Sequence, residues 1–154
     1  MLEEITRQQI INAKHANPLT LLPGSVPVNE RINLFLKEKI PFTFAYFDLD
    51  NFKPYNDKYG YSAGDNVIKA VAELLSKFVD EQHGIIGHIG GDDFIVVFLC
   101  EDWLVRCQNM LSHFAELAPT FYIEEDRLKG GIVGEDRAGL KTFFCLSQFI
   151  NRHC

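Results

Sequence analysis

Two pairs of acids stand where this chain could do chemistry. Asp48 and Asp50 follow the apolar run PFTFAYF, and Asp92 and Asp93 follow the glycine pair Gly90-Gly91. If the runs that carry them are neighbouring strands, the carboxylates converge at one edge of a sheet. Converging carboxylates without histidine or thiolate suit a hard cation such as magnesium, completed by backbone carbonyls, water and substrate phosphate. Either pair alone reads more readily as solvated acid punctuating a strand end or turn, and the presence of both shifts the balance toward a site. The stretch from Asp48 does not match a calcium loop, because Phe52 and Lys53 occupy the fifth and sixth positions, where an oxygen ligand and a glycine are required. A Walker A glycine loop is absent. A phosphate can instead rest on the backbone N–H groups of a helix start around Asn51, Phe52 and Lys53, with Lys53 adding charge. Taken singly, Lys53 also reads as a surface lysine, and Asp50 reads better as an N-cap than as a ligand.

The elements that must position these residues are legible in outline. PFTFAYFD is predicted to be a buried strand with Phe42, Phe44 and Tyr46 on one face and Phe47 on the other. GIIGHI and FIVVFL flank a predicted two-residue turn at Gly90-Gly91, and the second run, apolar on both faces, is expected to be a central strand. Residues 65–80 carry Val67, Ile68, Val71, Leu74, Leu75, Phe78 and Val79 on one wide helical face, with Asp65 at the expected N-terminus. A second helix is predicted from Trp103 to Leu117. A third is predicted to start at Asn29 as N-cap and to end before Pro41. Residues 1–14 suggest a helical lead-in, followed by a proline-rich loop. The segment 124–141 is polar and glycine-rich, and TFFCLSQFI is read as one last strand.

The chain has 154 residues with 47% hydrophobic and 23% charged, the composition of an ordinary globular domain long enough for a core without disulfide or metal staples. Fifteen basic against 21 acidic residues give a net charge of −6, and no basic cluster tracks a phosphate backbone, so nucleic-acid binding is disfavoured. No apolar run is long enough to span a bilayer and the start MLEEITRQQ is unlike a signal peptide, so a cytoplasmic location without membrane contact is expected. Cys100, Cys107, Cys145 and Cys154 form no CxxC pair and are expected to be free, mostly buried thiols. The five histidines are scattered, and His88 alone lies near the acidic motifs.

The stretch FAYFDLDNFKPYNDKYGYSAGDNVIKAVAELL, followed by HIGGDDFIVVF, resembles the GGDEF domain of diguanylate cyclases. The pattern DxDxFKxxND, GD and GGDDF, in that order and spacing, carries the resemblance, and PLTLLPGSV is similar to the family's loop ahead of its first motif. The resemblance implies an α/β (α+β sandwich), palm-like fold related to nucleotidyl cyclases, with a central, mainly antiparallel sheet flanked by helices. The lead-in occupies residues 1–16 and the domain 17–154. It further implies a signalling enzyme that converts two GTP to cyclic di-GMP with magnesium or manganese, acting as a homodimer beside sensory or phosphodiesterase domains of a larger protein. Carried over by position, Asp48, the Leu49 carbonyl and Asp92 hold metal. Asn51, Phe52 and Lys53 meet phosphate, Asn56 and Asp65 read guanine, and Asp92 and Asp93 are catalytic.

Several positions depart from the family's pattern. Asp93 stands where glutamate is usual, shorter by one C–C bond of roughly 1.5 Å, and displacements near 1 Å in a catalytic group cost about a hundredfold in rate. Glu81-Gln82-His83-Gly84 replaces the family's RxxD product-inhibition signature, and His88 replaces an arginine. The chain stops at Cys154, where the family continues into a helix that brings a lysine and an arginine to the phosphates. The expected alternative is therefore a catalytically weak domain that binds GTP or a partner domain and regulates a neighbouring module.

Overall fold

The computed structural model of the chain describes residues 2–146 and 149–153. Helices α1 (Leu2–His15) and α2 (Ser25–Lys37) precede strand β1 (Thr43–Leu49). The short α3 (Phe52–Tyr59) and long α4 (Tyr61–Phe78) follow, then β2 (Gly84–Gly90), β3 (Asp93–Phe98) and α5 (Trp103–Leu117). A 3-10 turn, α6 (Glu124–Lys129), β4 (Gly131–Glu135), β5 (Lys141–Cys145) and β6 (Phe149–His153) complete the described chain. A four-stranded sheet has the order β2-β3-β1-β6, and β4 and β5 form a separate two-stranded ribbon. Every pairing is antiparallel. The α+β architecture and the central place of β3 match the sequence expectation.

Alternation along β1 decides which face each residue meets. Ala45, Phe47 and Leu49 are buried in the larger core with Phe94, Val96 and Phe98 of β3, Val67, Ile68, Val71 and Leu75 of α4, and Met110 and Phe114 of α5. On the opposite face Phe42 and Phe44 pack with Val28, Phe35 and Val97 beneath α2. The helical periodicity of α4 is thus spent on one side of the sheet and that of α2 on the other, as a half-buried sheet requires.

Several boundaries differ from the sequence reading, each for a local reason. α2 starts at Ser25 rather than Asn29, because a proline in the first helical turn, here Pro27, removes an N–H that has no intrahelical partner anyway. α4 starts at Tyr61, so Asp65 lies in its second turn and is no cap. The cause is Gly60, whose φ of 89° breaks α3 and opens α4 within one residue. The glycine turn also shifts: Gly90 pairs with Asp93 after an irregularity between His88 and Gly90, which leaves Gly91 and Asp92 as the turn residues. The expected single last strand is two strands in two sheets. Asp136 accepts N–H bonds from Ala138 and Leu140 and closes a local hairpin, so Lys141–Cys145 pairs with β4 while Phe149–His153 pairs with β1. The polar segment before it contains α6 and β4. Of the cysteines, Cys107 is buried, Cys100 half-buried and Cys145 exposed, all three free, and Cys154 lies outside the described residues.

α6 is tied to α3 by a buried charge. Asp126, 3% exposed, accepts from Lys58 Nζ at 2.6 Å and from the Tyr59 hydroxyl, which in turn accepts the Ile123 N–H. The Lys58 ammonium and then the Tyr59 hydroxyl hold the Asp126 carboxyl below the usual carboxylate range, and burial with the Asp126 bond pushes Tyr59 up to about 12. A depressed folded-state pKa contributes stability above the unfolded value near pH 4 and loses it as pH falls through the folded value. The stability gap between the wild type and Asp126→Asn, measured by urea unfolding, should therefore be widest at neutral pH and narrow below about pH 4. A gap independent of pH would assign Asp126 a packing role alone.

Leu21 offers a second test. It is 77% exposed with φ of 61°, a conformation costing a non-glycine residue about 1–2 kcal/mol, partly offset in glycine by the entropy of its unfolded chain. Leu21→Gly should raise the melting temperature by about 2 °C. A fall would show that the leucine side chain contributes packing that its exposure hides.

Candidate functional site

The site grows from the β1–β3 ladder. Phe47 faces Phe94 and Tyr46 faces Ile95, so one further step sets Asp48 beside Asp93 as both strands approach the same end of the sheet. The turn then brings Asp92 to the end of β1, near the Leu49 backbone N–H, which favours its ionised form. Burial, followed by the neighbouring Asp93 and Asp48 carboxylates, raises the Asp92 pKa. Asp48, the backbone of Leu49 and Asp92 thus stand together.

This donor set suits a divalent cation. A half-buried carboxyl that feels two other negative charges is stabilised when a positive charge joins it. Among the described residues no group of three or more His, Cys, Asp or Glu side chains is gathered for a metal. Two carboxylates and a carbonyl are, however, what a cation that keeps several waters and binds substrate phosphate takes from a protein.

The start of α3 lies immediately after β1. Asn51 sits in the left-handed region with φ of 59° and no side chain caps the helix, which leaves the first-turn N–H groups at Phe52 and Lys53 without a side-chain partner. Asn51 itself is engaged elsewhere, its Nδ2 donating to the Cys145 carbonyl at 3.0 Å and tying this turn to β5. Lys53 is exposed and pairs with Asp57 at 2.7 Å, which raises its pKa. Exposed pairs one turn apart are weak, so the ammonium can exchange Asp57 for a phosphate. Asp50 is not the N-cap that its sequence position suggests; it lies in the turn before Asn51.

Asn56 and Asp65 are brought together by the α3–α4 corner. Asn56 Oδ1 is buried without a hydrogen-bond partner, an arrangement that leaves a strong acceptor unpaid unless a ligand donor meets it. It lies against Gly64: a Cβ there would sit 1.8 Å from Asn56 Oδ1. Asp65, next in the chain, is exposed on α4. A groove of about 540 Å³ runs between the 17–24 loop and α4, lined by Leu19, Thr20, Leu22, Lys69, Glu73 and Lys77; none of the clustered carboxylates lines it.

Three residues escaped the sequence reading as parts of the site. Tyr46 is on the Asp48 face, and the Asp93 carboxylate near its hydroxyl, ahead of burial and the Asp48 and Asp92 charges, pushes its pKa up to about 12. The signal was present as the one hydroxyl in an otherwise apolar strand face. Gly64 is needed for the close approach of Asn56. Thr20 reaches His88 across 68 residues, a contact without any local sequence signature.

The sequence model described as "Diguanylate cyclase, GGDEF domain" matches residues 15–121. The chain is 38% identical over 97 residues to diguanylate cyclase DgcP of Escherichia coli (strain K12), a match covering 58% of this chain and 27% of that protein. It is 34% identical over 100 residues to the bifunctional diguanylate cyclase/cyclic di-GMP phosphodiesterase MucR of Pseudomonas aeruginosa, covering 62% of this chain and 14% of that protein. The chain therefore matches well under two thirds of the length of these relatives. Its fold is similar to that of the coiled coil and GGDEF domain of DgcB from Caulobacter crescentus, with a TM-score of 0.63 at 17% identity over 98% of this chain and 77% of that one. With the acidic cluster, the Asn56 corner and the β2-β3-β1-β6 sheet in the same molecule, the chain belongs to the GGDEF domains of the diguanylate cyclase family, a family of signalling proteins.

Proposed function

We propose that this domain binds GTP with magnesium or manganese and that two such domains, face to face, join two GTP into cyclic di-GMP. The observation that carries the reading is the convergence of Asp48, Asp92 and Asp93 at one sheet edge, with the Asp92 pKa raised by burial and by its neighbours. In this reading Asp48, the Leu49 carbonyl and Asp92 hold the cation. The bound cation supplies neutralisation of phosphate charge and a lowered pKa for the attacking 3′-hydroxyl. The N–H groups at Phe52 and Lys53, with the Lys53 ammonium, orient the phosphates. Asn56 and Asp65 select guanine: its N1–H and N2 amine are donors that match a carboxylate and the unpartnered Asn56 oxygen. Asp93, beside Asp48, accepts the hydroxyl proton in this reading.

A second reading, a domain that binds GTP but turns it over slowly and regulates a neighbouring module, is favoured by Tyr46. The Tyr46 hydroxyl lies near the Asp93 carboxylate, and that carboxylate is already one methylene shorter than the family's glutamate. Other domains of a larger parent, such as a sensor or phosphodiesterase, are the partners in this reading. Among the described residues no helix is long and apolar enough to cross a membrane.

Chromatographic detection of cyclic di-GMP from GTP, with either metal, tests the first reading; GTP binding without product leaves the second. Calorimetry tests the shared guanine site. Asp65→Ala should weaken GTP by about 1–3 kcal/mol and ATP much less; equal losses would reduce Asp65 to a surface residue. Gly64→Ala should force Asn56 aside and lower GTP affinity at least about tenfold. The melting temperature should stay near that of the wild type, because alanine gains helix propensity of about 1 kcal/mol over glycine. Unchanged GTP affinity would remove Asn56 from the site.

A further inference from the structure

We propose that His88 is a positioning residue that fixes the Gly91-Asp92 turn and latches it to the 17–24 loop, a role that rests on the reading that this turn presents Asp92 to a divalent cation. His88 is 2% exposed. Its Nε2 lies 2.9 Å from the Gly91 carbonyl. A carbonyl only accepts, so in the neutral ring Nε2 carries the proton and Nδ1 accepts from the Thr20 hydroxyl, also at 2.9 Å. The ring stacks on Phe94 at 4.4 Å and 11°, and the His88 backbone N–H donates to the Pro23 carbonyl at 2.9 Å. An imidazole held on both nitrogens and one face has a single orientation available.

The turn needs such a hold. Gly90 and Gly91 are adjacent, and nothing lies within 4 Å of where either Cβ would stand, so side-chain packing does not restrain them. Gly91 has φ of 53°, in a region glycine enters and leaves at little cost. The β2–β3 register also shifts at this point, and such bulges re-aim the residues that follow. The bond from His88 to the Gly91 carbonyl therefore sets the direction in which Asp92 leaves the turn. Through Thr20, the same ring joins the rim of the groove along α4 to the turn that carries Asp92.

Glutamine and asparagine separate the two halves of the latch, because the glutamine amide reaches where Nε2 stands and the asparagine amide where Nδ1 stands. His88→Gln, His88→Asn and Thr20→Val are to be compared with the wild type by hydrogen exchange at the Gly91–Asp93 amides and by Mn2+ affinity, read by electron paramagnetic resonance with GTP present. His88→Asn should lose at least about tenfold in Mn2+ affinity, as loss of a supporting contact around a metal site does, and should exchange these amides at least about tenfold faster. His88→Gln and Thr20→Val should stay within about threefold of the wild type. His88→Phe, which keeps the ring on Phe94 without either nitrogen, should behave as His88→Asn and serves if that variant does not fold. Equal losses in His88→Gln and His88→Asn, or unchanged turn exchange in His88→Asn and His88→Phe, overturn the proposal. If the wild type binds no Mn2+ with GTP, the cation reading fails, while the exchange rates still decide whether His88 holds the turn.

Discussion

Phe47 and Phe94 face each other across the β1–β3 ladder, both fully buried, and this register determines the geometry of everything at the sheet's acidic end. Side chains alternate between faces along a strand, so a slip of one residue would carry Phe47 out of the larger core and Asp48 into it. Burying a phenylalanine is worth about 1.5–3 kcal/mol, and a buried unpaired carboxylate costs several more. The slip is therefore strongly disfavoured, and Asp48 is delivered beside Asp93 as a consequence of where the aromatic rings must go. The core and the site share one constraint.

From that end the chain is held by contacts of a different kind. Asn51 ties the turn after β1 to the Cys145 carbonyl. Tyr55 donates to the Phe121 carbonyl at 2.9 Å, stacks with Tyr59 at a centroid distance of 4.7 Å and meets Tyr122 edge-on at 5.1 Å. Asp126 then holds Lys58 and Tyr59. α3 has eight residues, too short to be stable by propensity, and these side chains give it a fixed position from which Asn56 faces Gly64. Rigid aromatic support beneath a polar residue with an unpaired acceptor is the arrangement expected of a recognition element.

The acidic cluster and the His88 network approach the same turn from opposite sides. The carboxylates repel one another, and the glycines resist little, so the turn alone would tend to relieve the crowding by moving Asp92 away. The His88 bond to the Gly91 carbonyl acts against that tendency.

Elements with strong periodicity or punctuation are set by the residues alone. α4 and α5 follow from apolar spacing, β3 from a run apolar on both faces, and the two pairs of acids from their place beside apolar runs. The order of DxDxFKxxND and GGDDF marked the family. Those features are local, set by residues within a few positions of one another. Choices between local alternatives of similar energy were settled by packing. Pro27 was compatible with either loop or helix until α2 packed its Val28 and Phe35 against the sheet. The apolar run from Thr142 onward had two strand edges available, and the Asp136 turn assigned its first half to β4. Tyr46 with Asp93, Thr20 with His88, and Asn56 with Gly64 are contacts whose partners are set by strand register and helix packing. Periodicity shows which face a residue occupies but not what lies opposite, because the opposite surface comes from another part of the chain.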